Sequence, residues 1–344
     1  MATTKAPTTR RGFGRLASGL LAAAAGGGAA AALAPRGAVA QTAATDYPTR
    51  PVTVVVPYAP GGSTDFVARL LAQALGAELG QGFAVDNRAG AVGTIGANAV
   101  ARARPDGYTL LVMPNTNYAM VPHMMRLPYD HERAFAPVSL LATNAQFLCV
   151  HPSLRANTAA EFVALAKAQP GRLTYSSSGA GSSAHLAAEL FLAAAGGLDV
   201  THVPYRGGAP AAQALIANEV QMSMVDAVTA LPFMGAGNVR ALAVTSAERA
   251  RQAPEVPTVA ESGFPGFQSS TDFALFAPAG TPEPVIRRLA AAAQRAMRSP
   301  EARARMEPLA IEPVGGTPEE FGPYLARESA KWREIVGSRN IRIE

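Results

Sequence analysis

The chain has 344 residues, of which 49% are hydrophobic and 16% charged, a balance typical of a folded protein with a large buried fraction. This length exceeds what one hydrophobic core usually serves and favours two domains. The formal charge of +5 arises in the first forty residues, which hold five of the 30 basic residues and no acid, leaving 25 basic against 25 acidic residues. Because the remaining protein is neutral, we expect no nucleic-acid partner.

Residues 1–40 have the features of an export signal. Thr9–Arg15 contains a twin arginine, Leu16–Leu33 is rich in Ala and Gly without a charge, and Ala38–Ala40 supplies the small residues that a signal peptidase recognises. A membrane anchor is less favoured because glycines interrupt the apolar run. The weakly apolar run favours the twin-arginine route over general export. We expect a mature periplasmic protein that starts near Gln41 and does not span the membrane.

The mature chain opens with a strand, a glycine turn and a helix. Val52–Val56 is typical of a buried parallel strand, and Gly61-Gly62 allows the backbone to turn. Ser63-Thr64 is expected to cap a helix from about Asp65 to Gly76. The free N–H groups of such a helix start attract an anion, held by amides, hydroxyls and the helix dipole. A plain turn without a ligand is the alternative, and this stretch alone does not decide between them.

Strands and helices then alternate, as a parallel sheet requires. We predict a strand at Phe83–Val85, a helix at Ala97–Ala103 and a strand at Tyr108–Met113. The glycines of Gly90–Gly96 match neither the dinucleotide fingerprint nor a phosphate-binding loop with its lysine, so no nucleotide cofactor is expected.

The polar residues Thr143–Gln146 separate two predicted strands, Val138–Ala142 and Phe147–Val150, and mark a place where the chain can cross to a second domain. The elements predicted after this point are a helix from Thr158 to Ala168, a strand at Leu173–Ser176, a helix at Leu186–Ala195, strands at Val220–Asp226, Val239–Val244 and Phe273–Ala277, helices at Thr281–Met297 and Pro318–Val336, and an apolar tail at Ile341–Ile343.

Candidate catalytic and metal sites are weak. Ser182 or Ser183 with His185 suggests acyl transfer, but the segment lacks the G-x-S-x-G elbow, and residues so close at a helix start face each other poorly. The five histidines and one cysteine lack metal-ligand spacing, so no metal is expected. Asp226, like the other carboxylates, has no evident partner for acid–base catalysis.

Three anion-friendly loops remain, at Tyr58–Asp65, Ser177–His185 and Tyr205–Gly208. They fall in different halves of the chain and share small residues, hydroxyls and an adjacent helix start. Two lobes that offer such loops across a cleft can clamp a small acid, which favours binding over catalysis.

Several motifs in order resemble the tripartite tricarboxylate transporter substrate-binding family, the Bug or TctC-type extracytoplasmic receptors. The motifs are Tyr47–Pro51 with Val54–Asp65, Asn87–Ala91, Pro105–Leu110, Leu127–Asp130, Gly179–Ser182 with His185–Ala187, Val203–Gly207 and Val256–Gly263. The resemblance covers nearly all of the mature chain. It implies an α/β, two-lobed periplasmic binding protein fold of the type II kind, with a ligand cleft between the lobes. We expect lobe 1 at 47–143 plus 272–344 and lobe 2 at 144–271.

By this resemblance the ligand is a small carboxylate, and its partners are integral membrane transporter subunits. The residues implied in ligand binding are Tyr58, Gly62, Ser63, Thr64, Gly181, Ser182 and Ser183, with Tyr205, Arg206 and Gly207 from the third loop and Asp226 from a strand end. Ala59 and Asn115 differ from the usual family residues, which leaves the identity of the acid open. We expect a monomeric receptor that is not an enzyme and has no cofactor; a carboxylate sensor without a transporter, or more distantly a secreted serine hydrolase, is the alternative.

Overall fold

The computed structural model describes residues 46–339. This part of the chain forms ten strands: β1 (Val52–Val56), β2 (Phe83–Asn87), β3 (Thr109–Pro114), β4 (Phe135–Val150), β5 (Thr174–Ser177), β6 (Thr201–Pro204), β7 (Met222–Asp226), β8 (Arg240–Val244), β9 (Ser270–Pro278) and β10 (Ile311–Pro313). It also forms twelve α-helices: α1 (Ser63–Leu79), α2 (Thr94–Ala101), α3 (Asn115–Ala119), α4 (Val121–Met124), α5 (His131–Ala134), α6 (Ala159–Ala168), α7 (Ser183–Ala194), α8 (Gly208–Ile216), α9 (Ala227–Gly235), α10 (Glu283–Arg298), α11 (Pro300–Met306) and α12 (Pro318–Arg339). The expected export segment 1–40 and the tail Ile341–Ile343 lie outside the described residues.

The first half of the sheet is built around β1. This strand pairs in parallel with β2 and β3, while β9 runs antiparallel between β3 and β4, and β10 pairs with β4. Val52, Val54, Val55 and Val56 have no exposed surface. A continuous apolar run suits a strand that is covered on both faces, and the predicted strand is confirmed with its bounds.

One long strand, β4, replaces the two strands predicted around Thr143–Gln146, so that prediction is wrong. The strand continues through this segment because neighbouring strands and loops bind part of its polar groups. Thr143 Oγ1 donates to Asp272 Oδ1 at 2.7 Å. At the other end of the polar segment, Gln146 N donates to Thr245 Oγ1 at 2.9 Å.

The strand β4 joins the two halves of the sheet. Residues 135–145 pair with β9, whereas residues 146–150 pair with β7 and β8. Beyond β7 lie β5 and then β6, and β5 runs parallel to both β7 and β6. The chain returns to the first half through β9, which begins at Ser270. The predicted division into lobes at 143–144 and 271–272 stays a prediction, and it falls close to these two crossing strands.

Helices cover both faces of each half. In the first half, Val54 and Val56 pack with α1 and α10, whereas Val55 faces the side that holds α2 and α12. Successive side chains of a strand point to opposite faces, which explains this alternation. In the second half, Phe162 of α6 and Phe191 of α7 belong to one buried cluster, and α8 and α9 contribute to another.

The predicted order of the main helices and strands is confirmed, with different bounds. Helix α1 begins at Ser63 instead of Asp65, and α7 begins at Ser183 instead of Leu186. The short helices α3, α4, α5, α9 and α11 and the strand β10 were not predicted. Between residues 46 and 339, no helix combines the length and the apolar character needed to cross a membrane.

Candidate functional site

The candidate site is a small cavity between the two halves of the molecule, where β1, β5, β6 and β7 end. Its volume is about 20 Å³. The lining includes six of the predicted ligand-binding residues: Tyr58, Gly62, Ser63, Thr64, Ser183 and Asp226. Five other predicted residues do not line the cavity: Gly181, Ser182, Tyr205, Arg206 and Gly207. The lining holds no lysine or arginine. The binding role of all these residues stays a prediction.

The first loop is held in place by Asp65. The Asp65 carboxylate accepts hydrogen bonds from Gly61 N at 3.0 Å, Arg69 Nε at 2.9 Å and Asn87 Nδ2 at 2.9 Å. Although burial opposes ionisation, the hydrogen bonds from Arg69, Gly61 and Asn87 lower the pKa of Asp65 below its ordinary value. Asp65 therefore stays ionised and fixes the turn in front of α1.

Neither Ser63 nor Thr64 caps α1, contrary to the sequence-based prediction. Gly62 is the N-cap residue and provides no side-chain cap, so both hydroxyl residues already belong to the first turn. Ser63 Oγ instead donates to Asp226 Oδ2. Thr64 makes no side-chain hydrogen bond to another described residue and lines the cavity. With Gly62 as the cap, the β1 loop ends one residue earlier than a hydroxyl cap at Ser63 would require.

Tyr58 forms a wall of the cavity. Its hydroxyl donates to Asn117 Oδ1 at 2.6 Å, and Asn117 Nδ2 in turn donates to Val92 O at 2.8 Å. Burial raises the pKa of Tyr58 well above its ordinary value. The hydroxyl proton of Tyr58 is therefore donated to Asn117, which lies in the same half of the molecule. The ring of Tyr58 lines the cavity.

In the second loop, Ser182 caps α7. Its hydroxyl accepts a hydrogen bond from His185 N at 3.3 Å, and the residue is fully buried. Ser183, the next residue, lines the cavity, and its hydroxyl lies 2.8 Å from Thr271 Oγ1. Ser182 thus has the capping role that was predicted for Ser63.

Two stacked histidines, the buried His185 and the half-buried His202, shape the second loop, and sequence reasoning missed His202. Gly181 N donates to His185 Nδ1 at 2.8 Å, and the His185 ring stacks on His202 with centroids 4.1 Å apart. His202 Nε2 lies 2.7 Å from Ser177 Oγ. Burial lowers the pKa of His185 to about 4, and burial with the neighbouring His185 lowers the pKa of His202 to about 3. Both rings are therefore neutral near neutral pH and serve as positioning residues.

The third loop joins the two halves through its backbone. Ala59 N donates to Arg206 O at 3.1 Å. Gly207 has a φ of +149°, and a Cβ there would lie 3.2 Å from Ala59 Cβ. The Arg206 side chain is exposed, and Tyr205 donates through its hydroxyl to Glu219 at 3.1 Å. The third loop therefore brings its backbone at Arg206 and Gly207 close to the backbone of Ala59 in the first loop.

Asp226 is a half-buried carboxylate at the end of β7 that lines the cavity. It accepts hydrogen bonds from Ser63 Oγ and from Thr271 Oγ1, the latter at 2.8 Å. Burial raises the pKa of Asp226, although the hydrogen bonds from Ser63 and Thr271 oppose this effect. Thr271 was not predicted, because it lies 45 residues from Asp226 in sequence and opens a strand in the other half. The Ser63–Asp226 bond links the β1 loop to the end of β7.

The cavity is narrow in this structure. A cavity of about 20 Å³ holds roughly one water molecule, so a carboxylate enters only when the two halves move apart or side chains rearrange. The contacts Ala59–Arg206 and Ser63–Asp226 beside the cavity are among those that such an opening has to break.

This architecture of two α/β halves, joined by crossing strands and facing each other through loops, defines a periplasmic binding protein. The protein is similar to periplasmic binding protein BugD, with 32% identity and a TM-score of 0.83 over 87% of this chain and all of that one. It is also similar to R. palustris Rpa4515 with adipate, with 34% identity and a TM-score of 0.82 over 86% and 99% of the two chains. MatC (Rpa3494) from Rhodopseudomonas palustris with bound malate gives 34% identity and a TM-score of 0.80 over 84% and 100%.

The chain belongs to the TctC family, described as the tripartite tricarboxylate transporter family receptor, which matches residues 67–341. Among its relatives, Protein BugT of Bordetella pertussis is 35% identical over 91% of this chain and 96% of its own length. A UPF0065 protein in the tcbD-tcbE intergenic region of Pseudomonas sp. is 40% identical over 84% and 86% of the two chains. The resemblance and the two-lobed α/β fold expected from the sequence are therefore confirmed.

The family consists of solute-binding receptors, which confirms that the protein is not an enzyme and removes the serine hydrolase alternative. The local geometry agrees with this conclusion. Ser182 is used as a helix cap, and His185 Nδ1 accepts from Gly181 N, so this pair has no free base facing a nucleophile. Within residues 46–339, no cluster of three His, Cys, Asp or Glu side chains is arranged to hold a metal ion.

Proposed function

We propose that the protein is a periplasmic receptor that binds a small carboxylate between its two lobes and delivers it to integral membrane transporter subunits. The observation that carries the proposal is the composition of the interlobe cavity: two helix starts and several hydroxyls line it, without a lysine or arginine. Helix starts and neutral hydroxyls can bind an anion through hydrogen bonds and the helix dipole. The solved relatives with bound adipate and malate support a carboxylate as ligand.

The ligand class comprises dicarboxylates or tricarboxylates, amino acids and aromatic acids. Thr64 is the most direct side-chain donor, because its hydroxyl has no partner within the described residues and lines the cavity. Ser63 and Thr271 become donors when Asp226 releases them. A ligand carboxylate thus competes with the carboxylate of Asp226 for the same two hydroxyls.

Asp226 couples this competition to protonation. Its pKa is already raised by burial, and a second carboxylate nearby raises it further because like charges disfavour ionisation. Binding of an anionic ligand is then accompanied by proton uptake at Asp226. A ligand hydroxyl or ammonium group beside Asp226 reduces this effect, because either group can donate to the ionised carboxylate.

Ligand entry and release require the two lobes to move relative to each other. The proposed lobes are residues 47–143 plus 272–344 and residues 144–271. Hinge motion at the two crossing strands opens the cavity and closes it around the ligand. The protein acts as a monomer in the periplasm after removal of residues 1–40 near Ala40; mass spectrometry of the exported protein tests this cleavage.

A binding screen tests the proposed function. A panel of monocarboxylates, dicarboxylates, tricarboxylates, amino acids and aromatic acids is applied to the mature protein, read by thermal shift and then by calorimetry. At least one acid is expected to raise the unfolding temperature and to bind with one-to-one stoichiometry. Failure of every class of acid contradicts the receptor proposal. Uptake assays in a strain that lacks the transport subunits separate delivery to a transporter from sensing.

A further inference from the structure

A second, larger cavity adjoins the candidate site. Its volume is about 460 Å³, within the range of small-molecule sites. Asn115 and Thr116 of α3 line one side, Leu186 of α7 lines another, and Trp332 of α12 contributes to the wall. Ser183 lines both this cavity and the small one, so the two spaces meet at the start of α7.

Three residues of this cavity carry buried polar atoms without a hydrogen-bond partner. They are Asn115 Oδ1, Thr116 Oγ1 and Trp332 Nε1. The same residues are at least nine-tenths buried. Such atoms are rare in folded proteins because an unpaired buried polar atom is costly. Their concentration along one cavity indicates that a bound molecule supplies the missing partners after local adjustment of the side chains.

A second carboxylate finds no unpaired cation among the residues that line this cavity. Asp272 and Glu328 are acidic, and Lys331 is the one basic residue among the lining residues. Lys331 Nζ lies 3.5 Å from Glu328 Oε2 and is already paired with it. A carboxylate also has no proton to donate to Asn115 Oδ1, which is a buried acceptor.

A neutral group that both donates and accepts fits the unpaired atoms better. Asn115 Oδ1 requires a donor, whereas Trp332 Nε1–H requires an acceptor. Thr116 Oγ1 satisfies either type. A primary amide provides an N–H and a C=O in one group, and a hydroxyl provides both functions on one atom.

We propose that this cavity receives the far end of the ligand, and that the ligand is an elongated acid with a carboxylate at one end and a primary amide or hydroxyl at the other. The inference rests on the proposed function, because the carboxylate end is held at Ser63 and Thr64. It adds a rule for specificity: the far end is neutral and polar instead of charged or apolar.

Three acids of equal chain length test this rule by calorimetry: adipamate with an amide end, adipate with a carboxylate end and hexanoate with an apolar end. Adipamate is expected to bind about tenfold more tightly than the other two, the effect of roughly one well-made hydrogen bond. Trp332→Phe keeps an aromatic ring and removes the Nε1–H donor. This variant should reduce the affinity for adipamate and leave that for hexanoate unchanged. Because Trp332 is the single tryptophan of the chain, its fluorescence in the unaltered protein should change with adipamate.

Two results overturn the inference and leave the receptor function intact. In the first, adipate or hexanoate binds as tightly as adipamate, or none of the three binds while an acid of the wider panel with neither an amide nor a hydroxyl at its far end does. In the second, Trp332→Phe weakens adipamate and hexanoate by the same factor, which shows a structural role for Trp332. Failure of the whole panel instead contradicts the proposed function itself, on which the inference depends.

Discussion

The two serines at the starts of α1 and α7 have different partners. Ser182 caps α7 through His185 N, whereas Ser63 lies inside α1 and donates to Asp226. Sequence reasoning gave Ser63 the capping role because a hydroxyl after a glycine turn is the usual cap. The actual cap position depends on where the backbone turns, and Gly62 takes it in α1.

Ser182→Ala is therefore expected to act on stability. Loss of an N-cap hydroxyl lowers the free energy of unfolding by about 1 kcal/mol. Because Ser182 does not line the cavity, the affinity for the carboxylate should change less than twofold. A change of this size is about the usual scatter between independent sites. Urea unfolding measures the first effect and calorimetry the second. A tenfold loss of affinity with unchanged stability would show that the Ser182 hydroxyl contacts the ligand.

The raised pKa of Asp226 makes stability depend on pH. A carboxyl whose folded pKa lies above its unfolded pKa binds more protons when folded, so its contribution is fully present below the ordinary value of about 3.9 and is lost as pH rises through the raised value. Asp226→Asn removes this contribution. In urea unfolding at several pH values, the unaltered protein should lose more stability than Asp226→Asn as pH rises from about 4 to 7. Parallel curves for the two proteins would contradict the raised pKa.

At the scale of elements, closure depends on how closely the loop before α8 approaches the loop before α1. Gly207 has a φ of +149°, and a Cβ there would lie 3.2 Å from Ala59 Cβ. This region of φ is nearly restricted to glycine and costs other residues about 1–3 kcal/mol. A side chain at this position therefore strains the loop and separates Ala59 N from Arg206 O.

Gly207→Ala is expected to weaken ligand binding about tenfold. The added side chain strains the loop in the closed, ligand-binding arrangement of the lobes, so closing around the ligand costs more free energy. Gly235→Ala is the control: a Cβ on Gly235 in α9 meets no atom within 4 Å and Gly235 does not line the cavity, so the affinity should stay within about twofold. Calorimetry of the two variants with the same acid measures the difference. Equal losses in both would show that the loop contact does not control closure.

The sequence allowed the elements to be predicted better than the site. Buried strands such as Val52–Val56 were found because an apolar run between turn residues depends on local sequence alone. The continuous strand through Thr143–Gln146 was missed because the groups that bind Thr143 and Asn144, namely Asp272 and Ala227 N, are distant in sequence. The Asp226–Thr271 pair and the His185–His202 stack were missed for the same reason, since each joins residues that only the fold brings together.

At the scale of the whole molecule, the two lobes meet through polar contacts around a small cavity and through an apolar cluster in which Leu186 of α7 packs with Met120 and Trp332. The helix starts of α1 and α7 belong to different halves, and the chain crosses between the halves only near Ala145 and Ser270 within the sheet. Such a molecule can open and close about its crossing strands. A ligand that bridges the two helix starts stabilises the closed arrangement because it contacts both lobes at once.

Calorimetric titration of the unaltered protein, Thr64→Val and Arg206→Gln tests the central claim that uncharged donors hold a carboxylate between the lobes. The acid is the tightest ligand of the screen. A hydrogen bond to a charged group contributes about 1.5–3 kcal/mol, so Thr64→Val should weaken binding roughly ten- to hundredfold. Arg206→Gln should bind within about twofold of the unaltered protein, because the Arg206 side chain is exposed and lies outside the cavity lining. Loss of binding in Arg206→Gln with full affinity in Thr64→Val would show that an ion pair holds the ligand and would contradict the claim.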